Sequence, residues 1–249
     1  MAVLGVDIGG SGIKGAPVDT INGTLLNERF RVRTPQPATP EAVAECISAI
    51  IQHFEWRGPI GCGYPGVIKH GMTMTAANLH PDWIGIQAAA LFEQRTQCEC
   101  QVTLVNDADA AALAEMRFGA GRGVNDVVLM LTIGTGIGTT LFVNGQLVPN
   151  MELGHLIVRG KDAELRVSDR ARMVKGLSWK QWAKRFNEYL EYMESLFWPD
   201  LIIIGGGASK SYAKFIPYLS SRAHVVPAQL LNEAGIVGAA VHAAENQPG

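Results

Sequence analysis

The first apolar run, Val3-Leu4-Gly5-Val6 with Ile8, is short and nearly unbroken, the pattern of a strand buried on both faces. It feeds into Gly9-Gly10-Ser11-Gly12-Ile13-Lys14-Gly15. The next stretch, Ala16-Pro17-Val18-Asp19-Thr20-Ile21-Asn22-Gly23-Thr24-Leu25-Leu26, places short apolar runs around a proline and an Asn-Gly turn, which predicts a hairpin. The same design returns later. Apolar residues 127–133 lead into Gly134-Thr135-Gly136-Ile137-Gly138, then residues 139–143 and a second Asn-Gly at Asn144-Gly145. Ile8 and Ile133 stand 125 positions apart in a chain of 249, so the sequence reads as internally duplicated. Each half carries a further strand with a polar or glycine end, 101–105 before Asn106-Asp107 and 201–204 before Gly205-Gly206-Gly207.

Helices are expected between these strands: 39–54 with Pro40 in its first turn, the alanine-rich 107–118, and 178–197, where Ser178 and Gln181 fit a capping box. A last helix begins near Glu233 and ends before Pro248. Alternation of strands and helices implies an α/β architecture. A boundary near Gly119-Ala120-Gly121 gives domains 1–118 and 119–249, with the final helix able to pack back on the first.

Composition narrows the function classes. With 21 Lys+Arg against 23 Asp+Glu, the net charge of -2 gives no general pull towards nucleic acid or an anionic membrane. No apolar run approaches the roughly 18 residues a membrane helix needs. The opening MAVLGVDIGG lacks a basic n-region and sets Asp7 inside its apolar stretch, so a cytoplasmic protein is expected. Cys46, Cys62, Cys98 and Cys100 make no disulfide framework, and Cys98-Glu99-Cys100 lacks a second pair for a metal. Charge is uneven along the chain: residues 159–185 hold nine Lys/Arg and three acids, a local +6. Such an excess suits a polyanion, with Arg170, Arg172 and Lys175 spaced to lie together on a helix. The plainer reading is a solvated helical face flanking Trp179 and Trp182.

Two glycine turns in register across a duplication offer backbone N–H groups to phosphate, and the Ser11 and Thr135 hydroxyls and Lys14 add donors. Gly10, Gly12 and Gly15 also satisfy a dinucleotide-binding pattern. That pattern needs a helix next, and the expected hairpin opposes a nicotinamide-dependent oxidoreductase. Asp7 and Asp107 lie at strand ends, where α/β sheets gather functional groups. Asp107 suits a general base or a helix N-cap. Asn106 and Asn78 have amides that both donate to and accept from sugar hydroxyls. Glu152-Leu153-Gly154-His155 could take a metal or a sugar. No cysteine follows Cys100 and the only later histidines are His224 and His242, which favours a polyol over zinc.

VDIGGSGIKG, YPGVIKHG, NDADAAALAE, LTIGTGIGTT, ELGH and IIIGGG, in this order, resemble the ROK sugar kinases of the actin-like ATPase superfamily. TPQPATPEAVA, the stretch 161–164 and NEAGIVGAA are similar to the polyphosphate glucokinase branch. The resemblance spans essentially the whole chain. It implies an actin-like ATPase (ribonuclease H-like) α/β fold, duplicated into two domains with a cleft, that transfers phosphoryl from polyphosphate or ATP to the 6-hydroxyl of glucose with Mg2+. Asp107 would be the base, and Asn78, Asn106, Glu152, His155 and Glu164 would hold glucose. Gly9, Gly10, Ser11, Gly12 and Lys14 in one turn, and Gly134, Thr135 and Gly136 in the other, would cradle phosphates, with Asp7 near Mg2+. Gly205, Gly206 and Gly207 would lie against adenosine, and a homodimer is implied. The zinc-containing members follow ELGH with a cysteine-rich loop. Residues 156–164 have none, so zinc is not expected. The family's repressors carry a DNA-binding segment ahead of the first glycine turn, which here begins at Gly9. A kinase is therefore expected over a sugar-sensing regulator, and an ATP-only hexokinase is the nearer alternative.

Overall fold

The computed structural model describes residues 1–76, 79–96 and 101–247. The chain divides into two compact units, Met1–Ala114 with Glu233–Gly249, and Glu115–Asn232.

In the first unit, β1 (Ala2–Gly9) and β2 (Gly12–Asp19) form the expected antiparallel hairpin, pairing Ile8 with Ile13 across a two-residue tip. β3 (Thr24–Leu25) and β4 (Phe30–Val32) both pair with β2. Helix α1 (Pro40–His53) starts where its sequence says: the Thr39 hydroxyl accepts from Ala42 N at 3.3 Å, and Val43, Ala44, Ile47 and Ile50 form the buried stripe. β5 (Ile60–Tyr64) lies parallel to β1; β6 (Ile68–Lys69) and β7 (Met72–Thr73) make a small ladder of their own. After α2 (Ala88–Thr96), β8 (Val102–Asn106) adds to β5 in parallel, giving the order β3-β2-β1-β5-β8, and runs into α3 (Asp107–Phe118). The dinucleotide pattern thus runs into strand β2 and not into a helix.

The second unit repeats the plan. β9 (Val128–Ile133) and β10 (Ile137–Val143) form the second glycine hairpin, and β10 turns into β11 (Gln146–Val148) through Asn144 and Gly145, both at positive φ as a two-residue Asn-Gly turn requires. A small ladder of β12 (Ile157–Val158) and β13 (Lys161–Asp162) precedes the short helices α4 (Glu164–Val167) and α5 (Asp169–Val174). Helix α6 (Trp179–Phe197) has the reciprocal Ser178–Gln181 capping box. It buries Trp182, Phe186, Tyr189 and Leu190 against the sheet, with Trp182 stacked on Phe186 at 4.7 Å. β14 (Leu201–Gly205), α7 (Tyr212–Phe215) and β15 (His224–Pro227) complete the order β11-β10-β9-β14-β15. Position by position, strand directions match those of the first sheet.

The last helix, α8 (Ala234–Glu245), belongs to the first unit, although the whole of Glu115–Asn232 precedes it in sequence. It seats on β1 and β5 at backbone distance. A Cβ on Gly5 would come within 2.0 Å of Ile236 O, and one on Gly61 within 1.9 Å of Ala239 O. In the second unit, the fully buried carboxylate of Glu115 ties two loops together, accepting from Ala120 N at 2.9 Å, Gln229 N at 2.8 Å and Leu230 N at 2.7 Å. Cys46 and Cys62 are free thiols, burial pushing Cys62 up to about 12, whereas Cys98 and Cys100 lie outside the described residues. Among the described residues no helix is long and apolar enough to cross a membrane.

Candidate active site

In the first unit the β1–β2 hairpin exposes Gly10 and Ser11 at its tip. The register pairs Asp7 with Lys14 and Lys14 with Arg31, so one face of β1, β2 and β4 carries an acid and two bases in a row. Lys14 Nζ lies 3.2 Å from Asp7 Oδ2, with both side chains half-buried. Arg31 reaches the turn itself, Nη2 donating to Ser11 O at 3.0 Å, and Thr34 Oγ1 donates to Gly9 O. The absence of a side chain at Gly12 leaves room for this arginine: a Cβ there would sit 2.4 Å from Arg31 Nε and would push the guanidinium aside. On the other side of Asp7 is Gly235, in the first turn of α8, where a Cβ would be 3.2 Å from the carboxyl carbon.

The cap of α3 falls to Asn106 and not to Asp107. Asn106 Oδ1 accepts from Ala108 N at 2.9 Å and Asp109 N at 3.1 Å, while its Nδ2 donates to Gly66 O at 3.1 Å. Sequence alone placed the acid before the alanine run and so offered it as the cap; one residue of shift gives the cap to the preceding amide. Asp107 becomes the first helical residue, half-buried. This also commits three of the hydrogen-bonding positions of Asn106 to the fold, leaving one Nδ2 proton for a ligand. Asn78 lies outside the described residues.

In the second unit, Gly134 N donates to Gly136 O at 2.9 Å, and Ile137 N to Glu164 Oε2 at 3.0 Å. The turn's remaining N–H groups are those of Thr135 and Gly136, together with the exposed Thr135 hydroxyl. Glu164 therefore braces the second glycine turn: a Cβ on Gly136 would lie 2.4 Å from its Oε2. Gly205, Gly206 and Gly207 close the far end of β14 beside the same hairpin. Gly206 holds φ +71°, and a Cβ there would lie 2.6 Å from Ile133 O.

The Glu152–His155 segment is anchored on β10 by Thr139, whose hydroxyl donates to Met151 O at 2.7 Å and accepts from Leu153 N at 3.0 Å. It sets Glu152, His155 and Glu164 within electrostatic reach of one another. Desolvation raises the Glu152 carboxyl above its ordinary range, His155 opposing and Glu164 adding to the rise. The hydrogen bond of His155 Nδ1 to Asp162 Oδ2, at 2.8 Å, raises the imidazole pKa; desolvation opposes it, and the charges of Asp162, Glu164 and Glu152 add to it. Asp162 was not singled out from sequence: only the β12–β13 ladder brings it back to the histidine. Among the described residues no group of three His, Cys, Asp or Glu side chains is arranged to hold a metal.

The basic stretch separates into two kinds of residue. Arg172 is spent on packing, its Nε 2.7 Å from Asp169 Oδ1 and its guanidinium 4.0 Å over the Trp179 ring. Arg166 and Arg159 both pair with Glu188. Arg170 is exposed, and its backbone N–H donates to Gly134 O at 3.2 Å, which sets it beside the second glycine turn. Lys175 is exposed too, donating to Leu165 O. Desolvation lowers its pKa, and the nearby charges of Arg185, Lys161 and Arg166 lower it further.

Known proteins resemble this chain in sequence and fold. A model of the ROK family matches residues 3–167. The chain is 48% identical over 238 residues to the polyphosphate glucokinase of Mycobacterium tuberculosis (strain CDC 1551 / Oshkosh), covering 96% of this chain and 89% of that protein. The inorganic polyphosphate/ATP-glucomannokinase from Arthrobacter sp. strain KM superposes with a TM-score of 0.93 at 47% identity, over 99% of both chains. A ROK family glucokinase from Streptomyces griseus, solved with glucose and AMPPNP, gives 0.82 at 27% identity, over 99% of this chain and 100% of that one. Matched by the family model over most of its length and by near-half-identical relatives almost end to end, the chain belongs to the ROK family and has its actin-like ATPase fold.

Proposed function

We propose that this chain is a glucokinase that moves the terminal phosphoryl group of inorganic polyphosphate, or of ATP, onto the 6-hydroxyl of glucose. The observation that carries the reading is the near-half identity, almost end to end, with a polyphosphate glucokinase, in a chain where Asp107 opens α3 directly after the strand-end Asn106 that caps it.

In the reaction Asp107 takes the proton of the glucose 6-hydroxyl as that oxygen bonds to the terminal phosphorus. The bond from phosphorus to the bridging oxygen breaks, and the leaving chain, one phosphate shorter, keeps the electron pair. The other residues position the reactants. Gly9, Gly10, Ser11, Gly12 and Lys14 serve the donor phosphates in one unit, and Thr135 and Gly136, in the turn opened by Gly134, serve them in the other. Gly205, Gly206 and Gly207 serve the adenosine when ATP is the donor. Glu152, His155 and Glu164 take sugar hydroxyls, with Asn78 and the remaining amide proton of Asn106. Arg170 and Lys175 lead a polyphosphate chain away from the second turn, joined by Lys161 and Arg185, while Arg172 stays with Asp169 and Trp179.

Mg2+ fits the groups present. It keeps much of its shell as water and phosphate oxygen and needs few protein ligands, and Asp7 offers one carboxylate beside the first turn. Bound with the donor, it neutralises charge on the transferring group. A cytoplasmic location and a homodimer belong to the same reading and rest on the family resemblance.

The test is purified protein with glucose, Mg2+ and either donor, assayed for glucose 6-phosphate. Product from both donors is expected. Product from ATP alone would make it an ATP-only hexokinase, and none from either would overturn the reading.

A further inference from the structure

Lys14 has been the cation assigned to the first glycine turn, yet in the structure its charge is already matched by Asp7 at 3.2 Å. The row Asp7, Lys14, Arg31 therefore carries one net positive charge, and it resides on Arg31. Arg31 is exposed and makes no ion pair among the described residues. One of its five N–H donors is used, on Ser11 O. That bond, together with the absence of a side chain at Gly12, lays the guanidinium along the turn with Nε, Cζ and Nη2 all within 3 Å of where a Cβ would be. The strand that delivers it is held to the hairpin twice, by its pairing with β2 and by Thr34 on Gly9 O. A guanidinium fixed in this way has already lost the rotamer freedom that ligand binding would otherwise cost.

We infer that Arg31 is a donor-phosphate ligand, a cation held on the first glycine turn to bind a phosphate of the donor chain, with Gly12 kept small to make room for it. The inference rests on the phosphotransferase reading above and adds a residue to its donor site. A guanidinium presents two parallel donors to one phosphate, which Lys14, tied to a carboxylate, does not. Because the phosphate is common to both donors, Arg31 acts alike on polyphosphate and ATP. This separates it from the stretch around Arg170 and Lys175, which a long chain uses more than ATP does.

The probe is tripolyphosphate, titrated by calorimetry into wild type and into Arg31→Gln and Arg31→Lys, beside steady-state kinetics with both donors and a separate glucose titration. Arg31→Gln should weaken tripolyphosphate binding about 10- to 100-fold, the range of one charge-assisted hydrogen-bonding group, and raise KM for both donors by similar factors. Glucose affinity and melting temperature should be unchanged, and Arg31→Lys should recover part of the loss. Tripolyphosphate affinity within twofold of wild type in Arg31→Gln would overturn the assignment. So would a joint loss of glucose affinity, donor affinity and melting temperature in both variants, which is what a purely structural arginine gives. Gly12→Ala should have little further effect in the Arg31→Gln background, because its methyl displaces a group already gone; full additivity would overturn the coupling between the two. If wild type binds tripolyphosphate but forms no glucose 6-phosphate, the glucokinase reading fails, and Arg31 is still judged by its binding.

Discussion

Neutralising cations of the 159–185 stretch should divide them into two groups that its sequence cannot tell apart. Arg170→Gln with Lys175→Gln removes two exposed charges, one beside the second glycine turn and one on Leu165 O, while leaving every buried side chain in place. Each phosphate contact on a flexible polyanion releases counterions and contributes about 0.7 to the slope of log affinity against log salt. Losing two contacts should lower that slope by about 1.4. Over a fourfold rise in salt, wild type should then lose about sevenfold more affinity for polyphosphate than the variant does. The ATP reaction should stay within a few-fold. Arg172→Ala should do the reverse. It breaks a close pair whose partners are each only 20% exposed and a cation–π contact at 4.0 Å, together about 1–2 kcal/mol. For a chain of this size that is a fall of about 2 to 8 °C in melting temperature, with the salt slope kept. Polyphosphate KM measured at several NaCl concentrations, with glucose 6-phosphate as the readout, and thermal melts of both variants make the test. A flattened slope in Arg172→Ala, or an unchanged slope in the double variant, would refute the division.

Asp107→Asn should lower the rate about 100- to 10,000-fold with glucose binding retained, and more than a tenth of wild-type rate would remove Asp107 as the base. His155 should titrate above its ordinary value, near 6.5, in an NMR experiment, and Asp162→Asn should bring it down. Since the folded pKa is the higher one, the stability contributed by the His155–Asp162 pair is complete below the unfolded value and is lost as pH rises through the folded one, so the Asp162→Asn penalty should be larger at pH 6 than at pH 9. Glu115→Ala leaves three backbone N–H groups without their buried acceptor and should cost more than about 3 kcal/mol in denaturant unfolding, whereas a cost under about 1 kcal/mol would mean water replaces the carboxylate.

Elements whose cause is local could be read directly. The runs around Val6 and Leu131 are apolar enough to be strands by themselves, Asn144-Gly145 dictates its own turn, and Thr39, Pro40, Ser178 and Gln181 mark helix starts within one turn of the residues they cap. What escaped is set by distant partners. Strand β5 was missed because Gly61 and Gly63 interrupt its apolar pattern, and the need for Gly61 appears only when α8 arrives from the other end of the chain. Arg172 looks like its neighbours in sequence until Trp179 folds under it. Arg31 carries no signal at all without the register that sets β4 against β2, and the same holds for Asp162 and its histidine.

The seat of α8 on β1 and β5 also dictates an order of assembly during synthesis. Residues 1–114 leave the ribosome with the glycine-faced backbone of Gly5 and Gly61 uncovered, and the helix that covers it is not made until the whole of Glu115–Asn232 has been translated. At cellular elongation rates this interval is on the order of ten seconds, far longer than a sheet or helix takes to form. The second unit, contiguous in sequence, can thus complete its sheet without α8, while the first unit waits for that helix as an open strand surface of the kind chaperones hold. A chain truncated before Ala234 and released should accordingly show protease-sensitive β1 and β5 while β9 and β14 are protected.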